Sequence, residues 1–63
     1  MIGFIIEDKQ GEQCEVIAEP TESATNSRTF YSVGAMRILD EEFVVLQSEN
    51  IKRVIARPDG SEA

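Results

Sequence analysis

The sequence predicts an all-β domain, a small bent sheet or barrel of about five strands, and three observations lead to it. Short runs rich in Ile, Val, Thr, Phe and Tyr recur along the chain, each bounded by Gly, Pro, Asp, Asn or Ser. One of them, Gln13 to Glu19, alternates residue by residue as a half-buried strand does. Pro20 and Gly34 stand where strands would end or bend.

Taken in order, Ile2 to Glu7 and Gln13 to Glu19 flank the polar stretch Asp8-Lys9-Gln10-Gly11-Glu12, the pattern of a hairpin with a short Gly-containing turn. In the second run Cys14, Val16 and Ala18 share the inward face, while Glu15, Ile17 and Glu19 share the wet one. Pro20 removes a ladder donor and ends that strand, and Thr21 to Ser27 lacks apolar periodicity, so it is read as a loop. Arg28 to Val33 has strand composition, and Gly34 marks a bend before Ala35 to Leu39.

Residues 40–57 admit two readings. As a helix they would have Asp40 as N-cap, Glu41 and Glu42 in the first turn, and Lys52, Arg53 and Arg57 near the end, all complementary to the macrodipole. As a strand pair they have β-branched Val44, Val45, Ile51, Val54 and Ile55, broken by the turn-prone Ser48-Glu49-Asn50. The strand pair is the reading taken; an α+β domain with a helix over 40–57 is the alternative. On the strand reading, FVVLQ followed by SENI and KRVIAR resembles the last two strands of small barrels of the Sm-like and Src-homology kind, where one tight helical turn joins them. The resemblance implies a fold and no function. An Sm-like protein would assemble into a ring and bind single-stranded RNA.

Residues 1–57 form the expected single domain, and 58–63 (Pro-Asp-Gly-Ser-Glu-Ala) read as a flexible acidic tail. At 63 residues the chain lies near the lower size limit for folding alone, which raises the expectation of self-association. With one cysteine, Cys14, and no histidine, neither an internal disulfide nor a structural zinc site can be built, and a reducing cytoplasm is the expected home. The apolar start is too short for a signal core or a membrane span, so no membrane partner is expected. Twelve acids against six bases give a net charge of −6, and residues 1–27 carry six of the acids with one base. Such a charge repels a phosphate backbone and makes nucleic acid a disfavoured partner.

Catalytic equipment is sparse. Without histidine there is no default proton shuttle at neutral pH. Cys14 lies between Glu12 and Glu15, whose charges oppose a thiolate, and it reads as a packing residue. Asp40-Glu41-Glu42 lacks the spacing of a calcium loop, and no Gly-rich phosphate loop is present, so neither metal nor cofactor is expected.

Three features point to binding instead. The acids of the first hairpin and beyond, with Glu12, Glu15, Glu19 and Glu22 foremost, could dock on a basic protein surface by fast, salt-sensitive association. The loop from Pro20 to Arg28 offers Asn26 and Arg28, next to an outward Tyr31. An apolar excess is the third feature: Ile5, Ile17 and one member of each pair Val44/Val45 and Val45/Leu46 fall opposite the expected core. Ile5, Ile17 and Val44 are accordingly the candidate residues of a subunit interface, most simply a symmetric dimer. The sequence thus reads as a small acidic protein-interaction module, of the size and charge of a regulator or inhibitor encoded by a mobile element. Two alternatives stand beside it. One is a small-barrel binder of single strands that uses Arg53, Arg57 and Tyr31; the other is an enzyme with its site at an oligomer centre.

Overall fold

The computed structural model describes residues 1–62. β1 (Ile5–Asp8) and β2 (Gln13–Val16) form the expected hairpin, with Ile6 opposite Cys14. Next come β3 (Thr21–Ala24), the long β4 (Thr29–Arg37), β5 (Phe43–Gln47) and β6 (Ile51–Ala56), and all strand pairs are antiparallel. β4 is the hub. β3 and β2 lie end to end along one of its edges, with Thr21 opposite Ser32 and Val16 opposite Ala35, and β5 takes the other edge. Beyond β2 the sheet continues through β1 to β6.

β5 and β6 therefore lie at opposite ends of the sheet, yet only the 3-10 turn Ser48–Asn50 separates them in sequence. The sheet has to curl to allow this, and it stays open because no ladder joins β5 to β6. The strand pair joined by one tight turn agrees with the Sm-like spacing. The alternative helix over 40–57 is not formed. On β5 the inward Val44 and Leu46 flank the outward Val45, as a period of two requires, and on β6 Ile51 and Val54 both reach the core through register shifts in the β1–β6 ladder.

Two further expectations are corrected. Thr21 to Ser27 is not all loop, since Thr21–Ala24 pairs with the first half of β4. Its polar composition is that of an edge strand with little apolar surface to cover, so pattern alone does not reveal it. Ala18 leaves the face of Cys14 and Val16: the N–H groups of Ile17 and Ala18 both donate to Gly34 O, at 3.0 and 3.3 Å, a bulge that shifts the alternation by one. Of the stretch 58–63 expected as a flexible tail, residues 58–62 form a turn in which Arg57 N donates to Ser61 O at 2.8 Å and Glu62 bridges to Ala56, and residue 63 lies outside the described residues.

The buried core comprises Ile6, Cys14, Val16, Val33 and Ala35, covered by Phe4, Val44, Leu46, Ile51 and Val54. Among the described residues no helix is long and apolar enough to cross a membrane.

Candidate functional site

The most exposed large apolar side chain of the domain belongs to Leu39, at 90% exposure, and local chemistry explains how the chain holds it there. Between β4 and β5, Arg37 N donates to Glu42 O and Glu41 N donates back to Arg37 O, both at 2.8 Å. Glu41 closes the turn in the left-handed region, φ 58°. The Arg37 side chain then braces the turn, its Nε donating to Asp40 Oδ1 and its Nη1 to Glu12 Oε2, each at 2.9 Å. Asp40 is held below its ordinary carboxylate range, first by this hydrogen bond, and the two carboxylates together push Arg37 up.

Glu12 comes from the first hairpin, whose turn is equally defined. One carboxylate oxygen of Asp8, Oδ1, accepts from the N–H groups of Gln10 and Glu12 at 2.9 Å, and Gly11 supplies the φ of 88° that the reversal needs. Arg37 thus ties two turns together at one end of the sheet. Between them is an open hollow of about 340 Å³ lined by Gly11, Glu12, Gln13, Arg37, Ile38 and Leu39. Glu12 lines it beside Arg37, and Asp40, Glu41 and Glu42 directly follow Leu39 in the turn, so carboxylates outnumber the single guanidinium next to the apolar tip.

The residues singled out from sequence are dispersed. Glu12 belongs to this end and is ion-paired. Glu15 lies opposite Met36 and Glu22 opposite Tyr31, positions of opposite parity on β4, so these two acids occupy opposite faces of the sheet. Glu19 lies 3.4 Å from the Met1 amino nitrogen. Asn26 is exposed in the short turn where Thr25 Oγ1 accepts from Ser27 N and Arg28 N. Arg28 forks onto both oxygens of Glu49 at 3.0 Å and sits 5.4 Å from the Phe30 ring centroid. Tyr31 is exposed although it shares the parity of the buried Val33 and Ala35, so its exposure comes from its place toward the start of β4 and not from alternation.

Of the interface candidates, Ile17 is exposed and Ile5 half-buried between Glu15 and Ala56, whereas Val44 faces the core and Val45 is the outward member of its pair. Arg53 donates to Glu7 at 2.7 Å and belongs to β6, separated in sheet order from the β4 residue Tyr31 by β1 and β2. Cys14 is buried, and its thiol is pushed up by burial first, then by Asp8 and Glu12. Among the described residues no group of side chains is arranged to hold a metal ion.

Sequence reasoning missed Ile38 and Leu39, which it assigned to the end of a strand. The signal was there: an apolar pair running directly into Asp40-Glu41-Glu42 has no room left for a strand partner before the chain reverses. No protein-family model, no curated protein and no solved structure matches this chain.

Proposed function

We propose that this chain is a small protein-interaction module, a binding domain and not an enzyme, that inserts the Ile38-Leu39 tip into an apolar cleft with a basic rim on another protein. The observation that carries the reading is the 90% exposure of Leu39 on a turn braced by Arg37. A large apolar side chain carried on a backbone turn that is already braced spares the binding reaction the cost of ordering the loop, which favours it as an anchor. The surrounding carboxylates favour a cationic rim and accelerate encounter at low salt. The size and acidity of the chain suit a regulator or inhibitor that acts by occupying a partner's surface.

The test is capture from source lysate by the tagged chain, by Leu39→Asp and by a Glu15→Lys, Glu22→Lys variant, at low and high salt and with nuclease treatment. Leu39→Asp should lose a salt-sensitive protein partner that the second variant retains, with all three chains giving the same circular dichroism. Undiminished capture by Leu39→Asp would reject the tip, and a partner that disappears with nuclease would move the assignment to single-stranded nucleic acid.

A further inference from the structure

The open edge of β5 is the second unsatisfied surface, and it is independent of the Leu39 tip. Two hydrogen bonds fix which way its backbone points. Arg37 N reaches Glu42 O on the β5 side, whereas Ile17 N reaches Gly34 O on the β2 side. Odd-numbered residues of β4 thus face β5. In the register Val33 opposite Leu46 and Ala35 opposite Val44, it is Val44 and Leu46 that hydrogen-bond to β4. The N–H and C=O groups of Phe43 and Val45 and the N–H of Gln47 consequently point away from β4 with no other backbone partner among the described residues, whereas the C=O of Gln47, the N-cap of the 3-10 turn, is taken by that turn.

The sheet has other edges, and they are protected. β3 follows Pro20 and carries Glu22; β6 carries Lys52 and Arg53, and its outer side is taken at Ala56 by the bridge to Glu62. β5 has none of these devices: its residues are Phe-Val-Val-Leu-Gln, without charge or proline, and its register with β4 is unbroken. Proteins rarely leave such a strand bare. Its outward side chains Phe43 and Val45 are also 61% and 62% exposed, on the same face.

From this pattern we infer that β5 pairs with β5 of a second copy, antiparallel about a two-fold axis at Val45. Phe43, Val45 and Gln47 then oppose Gln47, Val45 and Phe43 of the other copy, so the Val45 groups bond reciprocally and each Gln47 N–H meets a Phe43 C=O, four free pairs about the axis. The same register aligns Val44 with Leu46, which keeps both cores intact, and it joins Phe43 and Val45 of the two copies into one apolar strip. Because the contact is isologous it closes at two copies. An uncharged edge can meet itself in this way without opposing like charges.

Sedimentation equilibrium from micromolar to millimolar concentration tests this, with Val45→Lys and Val45→Cys beside the native chain. The native mass should rise from 7.0 kDa to twice that value with concentration. Val45→Lys puts two ammonium groups face to face and should weaken the dimer by roughly tenfold or more, with the β-sheet circular dichroism retained. Val45→Cys treated with a short bis-maleimide should become a covalently linked dimer, since directly opposed residues of this kind have β-carbons about 5.5 Å apart, within the span of such a linker. The buried Cys14 does not compete. A single-chain mass at millimolar concentration, a dimer undiminished in Val45→Lys, a mass beyond two chains, or a Val45→Cys chain that stays unlinked would each overturn the proposal. Should Val45→Lys fail to fold, the cross-link decides. Leu39→Asp should leave the mass curve unchanged, so this result and that of the partner assay stand apart.

Discussion

The ring of Phe43 lies against the backbone of Gly34, so close that a β-carbon on Gly34 would stand 3.5 Å from its Cε2 and Cζ. The same carbon would meet Ala18 Cβ at 3.2 Å. Gly34 is therefore the point where the β2 bulge and the β5 aromatic close over β4. A larger side chain there has to displace one of them. Gly34→Val should cost about 1–3 kcal/mol in urea unfolding. Adding Ala18→Gly should return part of the loss; strict additivity of the two changes would show that they do not share this space.

Ile6 sits at the centre of the core and is fully buried. Ile6→Ala should cost about 2–5 kcal/mol and Ile6→Val about 0.5–1.5 kcal/mol, in a domain small enough that the first change leaves a large unfolded fraction. Denaturant midpoints measure both. A negligible effect of Ile6→Ala would mean that the sheet holds together without this core.

Asp40 and Glu49 have carboxyls held below their ordinary values of 3.8 and 4.5, by hydrogen bonds from Arg37 and Arg28 respectively. A depressed folded-state value means that the native state keeps the charge more readily than the unfolded chain does. The associated stability is fully present above the ordinary values and is lost as pH falls through the lowered ones. Stability should therefore begin to decline below about pH 4.5. In Arg37→Gln, carbon-detected NMR should find the Asp40 midpoint returned toward 3.8, with a shallower acid decline. An unmoved Asp40 midpoint would show that the brace does not form in solution.

Cys14 has a thiol that is both enclosed and raised. Its reaction with a thiol reagent should be negligible in the native protein and should rise with urea in step with unfolding, because only opening exposes the sulfur and restores its ordinary acidity. Fast labelling without denaturant would contradict its burial.

The fold was legible where side-chain pattern and strand period coincide. The hairpin around Asp8 and Gly11, the β-rich Arg28 to Val33 segment and the turn at Ser48 to Asn50 follow from local residue chemistry, whereas Gly34, expected at a bend, lies inside the unbroken β4. β3 was not, because Thr-Glu-Ser-Ala becomes a strand only through its neighbour β4. Nor was the phase change at Ile17 and Ala18, which depends on one carbonyl accepting two N–H groups from across a ladder. The candidate site was legible in chemistry more than in place. Acids with apolar neighbours were foreseen as binding elements, but a linear sequence does not show that Arg37 gathers Glu12 and Asp40 together, or that Arg28 is already occupied by Glu49.

The pairing of β1 with β6 has a consequence for how the molecule comes into being. Glu7 and Arg53, which meet in that ladder, are 46 positions apart, whereas the β1–β2, β3–β4 and β4–β5 ladders join adjacent segments. Local hairpins close at small entropic cost, but the final ladder has to bring together distant parts of the chain. During synthesis the first strand thus waits for the sixth to leave the ribosome, and one side of its hairpin stays without a partner until then. Completion of the domain should therefore be the slow step, set by the separation of β1 and β6 along the chain.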